Sequence, residues 1–230
     1  MRGPFFWVFV VLPVAVSCQS KPDGKAVFAR PELEQQLSQC LQGQSKEIII
    51  RKQPVTDADF SRILSARGLQ VLELYHCDMT GLAGIAQLKD LRRLRLEAFP
   101  CNDMSAREIS KLRQLTILNL PDASFTDDGL AAIATLPDLE LLRFGSPNVA
   151  DSGLACLANL KTLRFLHFMN VPVTDSGLKV LHGMNQLESL YIDGGLQTDE
   201  GIRLLLQENS ELHFHRDQLH LPGDSRADGH

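Results

Sequence analysis

The chain has 230 residues and a formal net charge of −5, with 23 Lys and Arg against 28 Asp and Glu. An acidic chain without a basic run lacks the positive surface that nucleic-acid-binding proteins use, so nucleic acid is excluded as the expected partner. It contains no Gly-rich phosphate loop and no Ser/His/Asp or Cys/His nucleophile motif, so no cofactor and no enzymatic activity are predicted.

Residues 1–17 are predicted to be a signal peptide. One positive charge, Arg2, precedes an apolar run from Phe5 to Val16. The run has 12 residues, whereas a membrane-spanning helix needs roughly 20, so its length is typical of the apolar region of a signal peptide. Cleavage after residue 17 would leave 22 basic and 28 acidic residues, which is a net charge of −6.

The bond before Cys18 suits two kinds of processing. Ala15 and Ser17 are the small residues that an ordinary signal peptidase requires. Ser17-Cys18 also resembles the bacterial lipobox, in which the cysteine is lipidated and becomes the new N-terminus. Lipidation of Cys18 is the prediction, and it implies membrane association in the bacterial cell envelope, at the outer membrane or on the periplasmic side. Plain secretion and an uncleaved anchor are the alternatives.

A polar segment and a helix precede the repeated part of the chain. Residues 18–29 have the composition of a flexible tether. Pro31 suits the first turn of a helix, and leucines follow at steps of four from Leu33 to Leu41, so an amphipathic helix is predicted within residues 30–44. Because the first coil of a repeat array exposes its core edge, this helix is predicted to be an N-terminal cap.

Residues 45–211 repeat themselves at a step of 24 residues. A leucine begins each complete copy, and apolar residues follow it three and five positions later. These leucines are Leu91, Leu115, Leu139, Leu163 and Leu187. Self-similarity at a fixed period predicts a solenoid of about seven coils that forms one domain.

Each copy changes its hydrophobic period halfway. In the copy that begins at Leu163, Leu166 and Phe168 alternate with other residues, which predicts a strand with one buried face. Leu178 and Leu181 then recur at a step of three, which predicts a helix with one buried face. Thr-Asp-x-Gly separates the two halves, and its Thr or Asp is expected to cap the helix. The motif occupies residues 126–129, 174–177 and 198–201, and 150–153 with Ala in place of Thr.

The pattern LxxLxL followed by TDxGLxxL resembles the leucine-rich-repeat family. More narrowly, it resembles the ribonuclease-inhibitor-like repeats found in bacterial exported multi-copy repeat proteins. The resemblance implies an α/β fold, a right-handed horseshoe solenoid with a parallel concave β-sheet and helices on the convex side. It does not imply one particular ligand, because the family is a scaffold that binds many partners.

Two regions depart from the regular repeat. The second copy, residues 69–90, is two residues short and has Thr80-Gly81-Leu82 in place of the four-residue motif, so a tighter turn or a shorter helix is expected there. After the last copy, residues 212–220 are predicted to form a terminal strand or cap. Residues 221–230 have nothing to bury and are predicted to be disordered.

Histidines cluster in the predicted terminal strand. Alternation puts Leu212 and Phe214 inside and His213 and His215 outside, with His220 close by in the sequence. This spacing suits a transition metal only if a fourth ligand joins the histidines, and no Cys or carboxylate completes a recognisable pattern. The prediction is therefore solvated edge residues and no metal site.

An aspartate occurs at nearly every predicted helix start. The row consists of Asp57, Asp103, Asp127, Asp151, Asp175 and Asp199. Stacked coils would bring neighbouring carboxylates to about 5 Å from each other, a distance that suits a bound cation. A helix cap that recurs because the coil recurs explains the row better, so capping is the prediction.

The chain has five cysteines, an odd number that would leave one unpaired in an exported protein. If Cys18 carries a lipid, four cysteines remain. Cys77 and Cys101 follow the strands of adjacent copies, where a disulfide is geometrically allowed. The stronger expectation, also for Cys40 and Cys156, is that they are small buried hydrophobic residues.

Outward strand positions form parallel rows on the predicted concave face. The fold does not require apolar residues there, so Ile117, Leu141, Phe165 and Met169 are interpreted as a contact patch flanked by Arg, Tyr and His. The alternative is that β-propensity alone accounts for the Ile and Phe. The candidate site consists of Arg95, Ile117, Asn119, Leu141, Arg143, Phe165, His167, Met169 and Tyr191.

The functional prediction is a non-enzymatic, monomeric module that is exported and lipid-anchored, and that binds a protein or peptide in its concavity. One alternative is a structural repeat protein of the cell envelope. The other is a metal-binding or enzymatic protein that uses the C-terminal histidines.

Overall fold

The structure is a computed structural model, and it describes residues 31–217 together with the short strand at residues 219–220. The predicted signal peptide, the lipidation site Cys18, the tether and the predicted disordered tail at 221–230 lie outside the described residues.

Strands recur along the described chain at the predicted step. They are β1 (Glu47–Ile50), β2 (Val55–Thr56), β3 (Val71–Leu74), β4 (Cys77–Asp78), β5 (Arg93–Leu96), β6 (Ile117–Leu120), β7 (Leu141–Phe144), β8 (Phe165–Met169), β9 (Ser189–Asp193), β10 (His213–Arg216) and β11 (Leu219–His220). The main sheet has the order β1-β3-β5-β6-β7-β8-β9-β10-β11, and β2 pairs with β4 in a second, two-stranded sheet.

Neighbouring strands of the main sheet are parallel from β1 to β10, and only β11 is antiparallel to its neighbour. Leu166 lies opposite Leu142 on one side and Leu190 on the other, so the pairing register equals the 24-residue repeat. The predicted α/β solenoid with a parallel sheet is confirmed. The small β2–β4 sheet was not predicted.

A helical segment follows most strands of the main sheet. The α-helices are α1 (Pro31–Leu41), α2 (Asp57–Ile63), α3 (Asp103–Ile109), α4 (Asp127–Ile133), α5 (Asp151–Leu154), α6 (Asp175–Leu178) and α7 (Asp199–Glu208). Turns of 3-10 helix extend α5 and α6, and the shortened second copy has only the 3-10 turn Ile85–Gln87, as its missing residues led us to expect. Among the described helices, none has the length and apolar character needed to cross a membrane.

Buried leucines and phenylalanines form one continuous core between the sheet and the helices. The rings of Phe125, Phe144 and Phe168 contact one another from coil to coil, the first pair tilted and the second edge-on, with centroid separations of 5.5 and 5.4 Å. At the first edge of the sheet, Gln36 of α1 accepts a hydrogen bond from Ile49 N at 2.6 Å and donates one to Ile49 O at 2.8 Å. The helix therefore satisfies backbone groups that an open edge strand would leave unpaired.

The aspartates of the Thr-Asp-x-Gly motif bridge adjacent coils, so the prediction that they cap their own helices is wrong. Asp103 accepts hydrogen bonds from the backbone N and the hydroxyl of Thr126 in the next coil, at 2.7 and 2.9 Å. Where a side chain caps the helix, the capping residue is Asn102 or a threonine such as Thr126, whose hydroxyl accepts from Asp128 N; Ala150 before α5 provides no side-chain cap. The other bridges join Asp57 to Thr80, Asp127 to Ala150 and Ser152, Asp151 to Thr174, and Asp175 to Thr198.

These bridges also explain the glycine of the motif. A Cβ atom added to Gly153 would have atoms of the Asp127 carboxylate as its nearest neighbours, closer than real Cβ contacts allow. Glycine therefore lets the aspartate of one coil lie directly against the helix start of the next coil. The last aspartate of the row, Asp199, accepts instead from Arg216 Nη1 at 2.5 Å.

Candidate functional site

The pairing register arranges the outward strand residues in rows on the concave face. The first row contains Val71, Arg93, Ile117, Leu141, Phe165, Ser189 and His213, and the second contains Glu73, Arg95, Asn119, Arg143, His167, Tyr191 and His215. Of the predicted apolar patch, Phe165 is exposed, at 36%, whereas Ile117, Leu141 and Met169 are half-buried. The apolar surface is therefore centred on Phe165.

The N-terminal half of the concave face is a charged network whose arginines each have a carboxylate partner. Its members are Arg51, Glu73, Tyr75, Arg93, Arg95 and Glu97. The Tyr75 hydroxyl donates to Glu73 at 3.1 Å, and its ring lies between the guanidinium groups of Arg51 and Arg95. Because these charges satisfy one another, this half offers a ligand little that is unpaired.

A pocket of about 590 Å³ lies on the C-terminal half of the concave face. The structure brings five of the nine predicted site residues together there, namely Leu141, Arg143, Phe165, His167 and Tyr191. The other four, Arg95, Ile117, Asn119 and Met169, do not line it. The pocket therefore lies nearer the C-terminal end than the centre of the predicted patch.

Asp193 and His215 also line the pocket, although sequence reasoning did not include them in the site. The repeat register could have found both. His215 follows Tyr191 by 24 residues and pairs with it, and Asp193 pairs with Met169 in the same way.

Arg143, His167 and Asp193 form a chain of hydrogen bonds across β7, β8 and β9. Arg143 Nε donates to His167 Nδ1 at 3.2 Å, and His167 Nε2 lies 2.8 Å from Asp193 Oδ2. Burial is the main cause that lowers the pKa of His167; Asp193 raises that pKa, and Arg143 lowers it. A neutral imidazole with its proton on Nε2 accepts from Arg143 and donates to Asp193, which assigns the tautomer from the partners of the ring.

Aromatic rings form the C-terminal wall of the pocket. Tyr191 stacks on His215 with a centroid distance of 4.3 Å and an interplanar angle of 6°, and lies 5.5 Å from His167. The prediction that His213 is solvated is wrong, because the side chain is 7% exposed and packs against Tyr191 and His215. Within the described residues, no group of three or more His, Cys, Asp or Glu side chains is placed to hold a metal ion.

The four described cysteines are free thiols, so no disulfide joins Cys77 to Cys101. Cys40 and Cys101 are buried, whereas Cys77 and Cys156 are half-buried. Burial raises the pKa of Cys77 and Cys101 to about 12 and that of Cys156 to about 11, which keeps these thiols protonated at neutral pH.

Known structures share this architecture. An internalin C2 (inlC2) from Listeria monocytogenes superposes with a TM-score of 0.60 and 20% identity over 86% of this chain and 89% of its own. An internalin (inlF) from the same organism superposes with a TM-score of 0.56 and 20% sequence identity, over 73% of this chain and 47% of its own. A leucine-rich-repeat protein from Leptospira interrogans superposes with a TM-score of 0.53 and 17% sequence identity, over 75% of this chain and 49% of its own.

The fold is a leucine-rich-repeat solenoid. The chain spans about half the length of inlF and of the Leptospira protein. No family model and no curated protein matches the chain, so the narrower resemblance to ribonuclease-inhibitor-like repeats stays a prediction.

Proposed function

We propose that this leucine-rich-repeat solenoid binds a protein or peptide on the C-terminal half of its concave face. The observation that carries the proposal is the pocket of about 590 Å³ beside the exposed ring of Phe165. An aromatic side chain exposed next to a concave, mainly apolar surface is the composition of an interface centre. The fold supports the same function, because solenoids use their extended concave surfaces for binding.

Binding without catalysis fits the chemistry of the pocket. Its described lining contains no Ser, Thr, Cys or Lys, and its one carboxylate, that of Asp193, is engaged by His167. Both ring nitrogens of His167 are engaged, by Arg143 and by Asp193, which leaves neither nitrogen for proton transfer to a substrate.

Selection of a random peptide library on the immobilised protein tests the binding proposal. We expect selected peptides to bind the wild type at least tenfold more tightly than Phe165→Ala, which corresponds to about 1.4 kcal/mol. The melting temperature of this variant should stay close to that of the wild type, because Phe165 lies outside the buried core.

Lys179→Glu is the matched control, since Lys179 is an exposed residue of the helical side. It should bind the selected peptides as the wild type does. Peptides that bind Phe165→Ala as tightly as the wild type would show that the concave pocket is not the binding surface.

We also propose that the protein is exported and anchored in the bacterial cell envelope through a lipidated Cys18. The support is the arrangement of a short apolar run, small residues and a cysteine at residues 5–18. Mass spectrometry of the N-terminal peptide from membranes should find a lipid-modified Cys18, and Cys18→Ser should abolish this modification. An unmodified Cys18 N-terminus in the soluble fraction would establish secretion instead.

A further inference from the structure

Arg143 differs from the arginines of the N-terminal half of the concave face, each of which has a carboxylate partner. Within residues 31–217, Arg143 makes no ion pair. Its side-chain hydrogen bond runs from Nε to His167 Nδ1. The two Nη groups, with four N–H donors, are therefore left for a ligand.

The hydrogen-bond chain behind Arg143 holds its guanidinium in one orientation. Asp193 fixes the His167 ring through Nε2, and the opposite ring nitrogen accepts from Arg143 Nε. A guanidinium stays charged at every physiological pH, so the arrangement presents a permanent, oriented cation. The His167 ring lies between Arg143 and Asp193, and the Asp193 carboxylate is hydrogen-bonded to His167. Asp193 therefore does not form an ion pair with Arg143.

Apolar surface lies directly beside this cation. Leu141 precedes Arg143 by two residues on β7, so the two side chains lie on the same face, about 7 Å apart along the strand. Phe165 pairs with Leu141 on the neighbouring strand and extends the apolar wall. A peptide in the pocket can therefore contact the Arg143 guanidinium and the apolar wall at the same time with one residue or with two adjacent residues.

We infer that the pocket binds a peptide through a carboxylate, held by the two Nη groups of Arg143, and an adjacent apolar side chain, held against Leu141 and Phe165. The inference rests on the proposed peptide-binding function and names its ligand chemistry. Arginine and carboxylate form paired, charge-assisted hydrogen bonds, which are stronger and more directional than neutral ones. The carboxylate is either the C-terminus of the peptide or the side chain of an Asp or Glu next to the apolar residue.

The inference can be tested by titrating four small probes into the protein that lacks residues 1–17 and monitoring each titration by NMR. Acetyl-phenylalanine carries a terminal carboxylate, and acetyl-Glu-Phe-amide carries one on a side chain. Acetyl-phenylalanine amide and acetyl-Gln-Phe-amide are the matched neutral probes. We expect each acid to bind at least tenfold more tightly than its neutral match, with shifts of the Arg143 Nε–H and Phe165 signals. The acid whose affinity exceeds that of its neutral match by the larger factor shows whether the pocket binds a C-terminal or a side-chain carboxylate.

Arg143→Gln should remove the preference for the acids while leaving the contact with Phe165. Arg93→Gln is the matched control, because Arg93 lies on the same face but is paired with Glu73, and it should keep the preference. Equal binding of acid and neutral probes by the wild type, a preference that survives in Arg143→Gln, or no binding of any probe would overturn the inference.

The outcomes separate this inference from the proposed function. If acid and neutral probes bind equally and both shift the Phe165 signals, the carboxylate assignment falls and peptide binding at the pocket stands. If the library peptides bind independently of Phe165, the proposed function falls as well.

Discussion

Replacing Leu166 by Ala should lower the free energy of unfolding by about 2–5 kcal/mol. The side chain is 1% exposed and points into the core from β8, between Leu142 of the preceding coil and Leu190 of the following one. Truncation removes its contacts with both neighbours and leaves a cavity that close-packed strands cannot collapse to fill. Urea denaturation followed by circular dichroism measures the loss.

The repeat architecture adds a second expected effect of Leu166→Ala. Each coil contacts mainly its neighbours, so a weakened middle coil should reduce the coupling between the two ends of the array. The urea transition should therefore broaden, with a smaller dependence of the unfolding free energy on urea concentration. Lys179→Ala is the exposed control and should change stability by less than about 0.5 kcal/mol. A loss for Leu166→Ala no larger than that of the control would contradict its central position.

Gly153→Ala should destabilise the protein by about 1–3 kcal/mol, because its new methyl group collides with Asp127 of the preceding coil. The sign is opposite to that expected for an ordinary helix, where Ala is favoured over Gly by about 1 kcal/mol. Gly183 is the matched control, since a Cβ atom there meets nothing within 4 Å. Gly183→Ala should leave the denaturation midpoint unchanged or raise it.

A double-mutant cycle then isolates the contact between the two coils. Asp127→Ala alone should cost about 1–3 kcal/mol, because it removes the hydrogen bonds from Ala150 N and the Ser152 hydroxyl, each of which contributes about 0.5–1.5 kcal/mol net. In that background the collision is gone, and Gly153→Ala should become neutral or stabilising. The coupling energy should then exceed about 1 kcal/mol. Equal effects of Gly153→Ala in both backgrounds would show that Asp127 is not what requires the glycine.

Much of the candidate site followed from the repeat period. Leu141, Arg143, Phe165, His167 and Tyr191 could be assigned to outward positions because strand alternation and the 24-residue step fix which side chains share a face. The centre of the site could not be located in this way. Every coil offers outward positions, and only the packed side chains reveal that the arginines of the N-terminal half are paired whereas Arg143 is held by His167.

The sequence by itself determined the parallel sheet, the strand register and the buried faces of the helices within the repeats; in the N-terminal helix, Leu41 was predicted on the apolar face but is 58% exposed, and Cys40 is buried instead. These features depend on where apolar residues recur along the chain, and burial of an apolar face is a local, periodic requirement. Only the tertiary structure decided what the polar residues do. The motif aspartates bind Thr126 and its equivalents in the next coil, and the Arg143–His167–Asp193 chain spans three strands. Such contacts join residues 23–26 positions apart, and their partners are set by the distance and orientation between stacked coils, which the hydrophobic period does not encode.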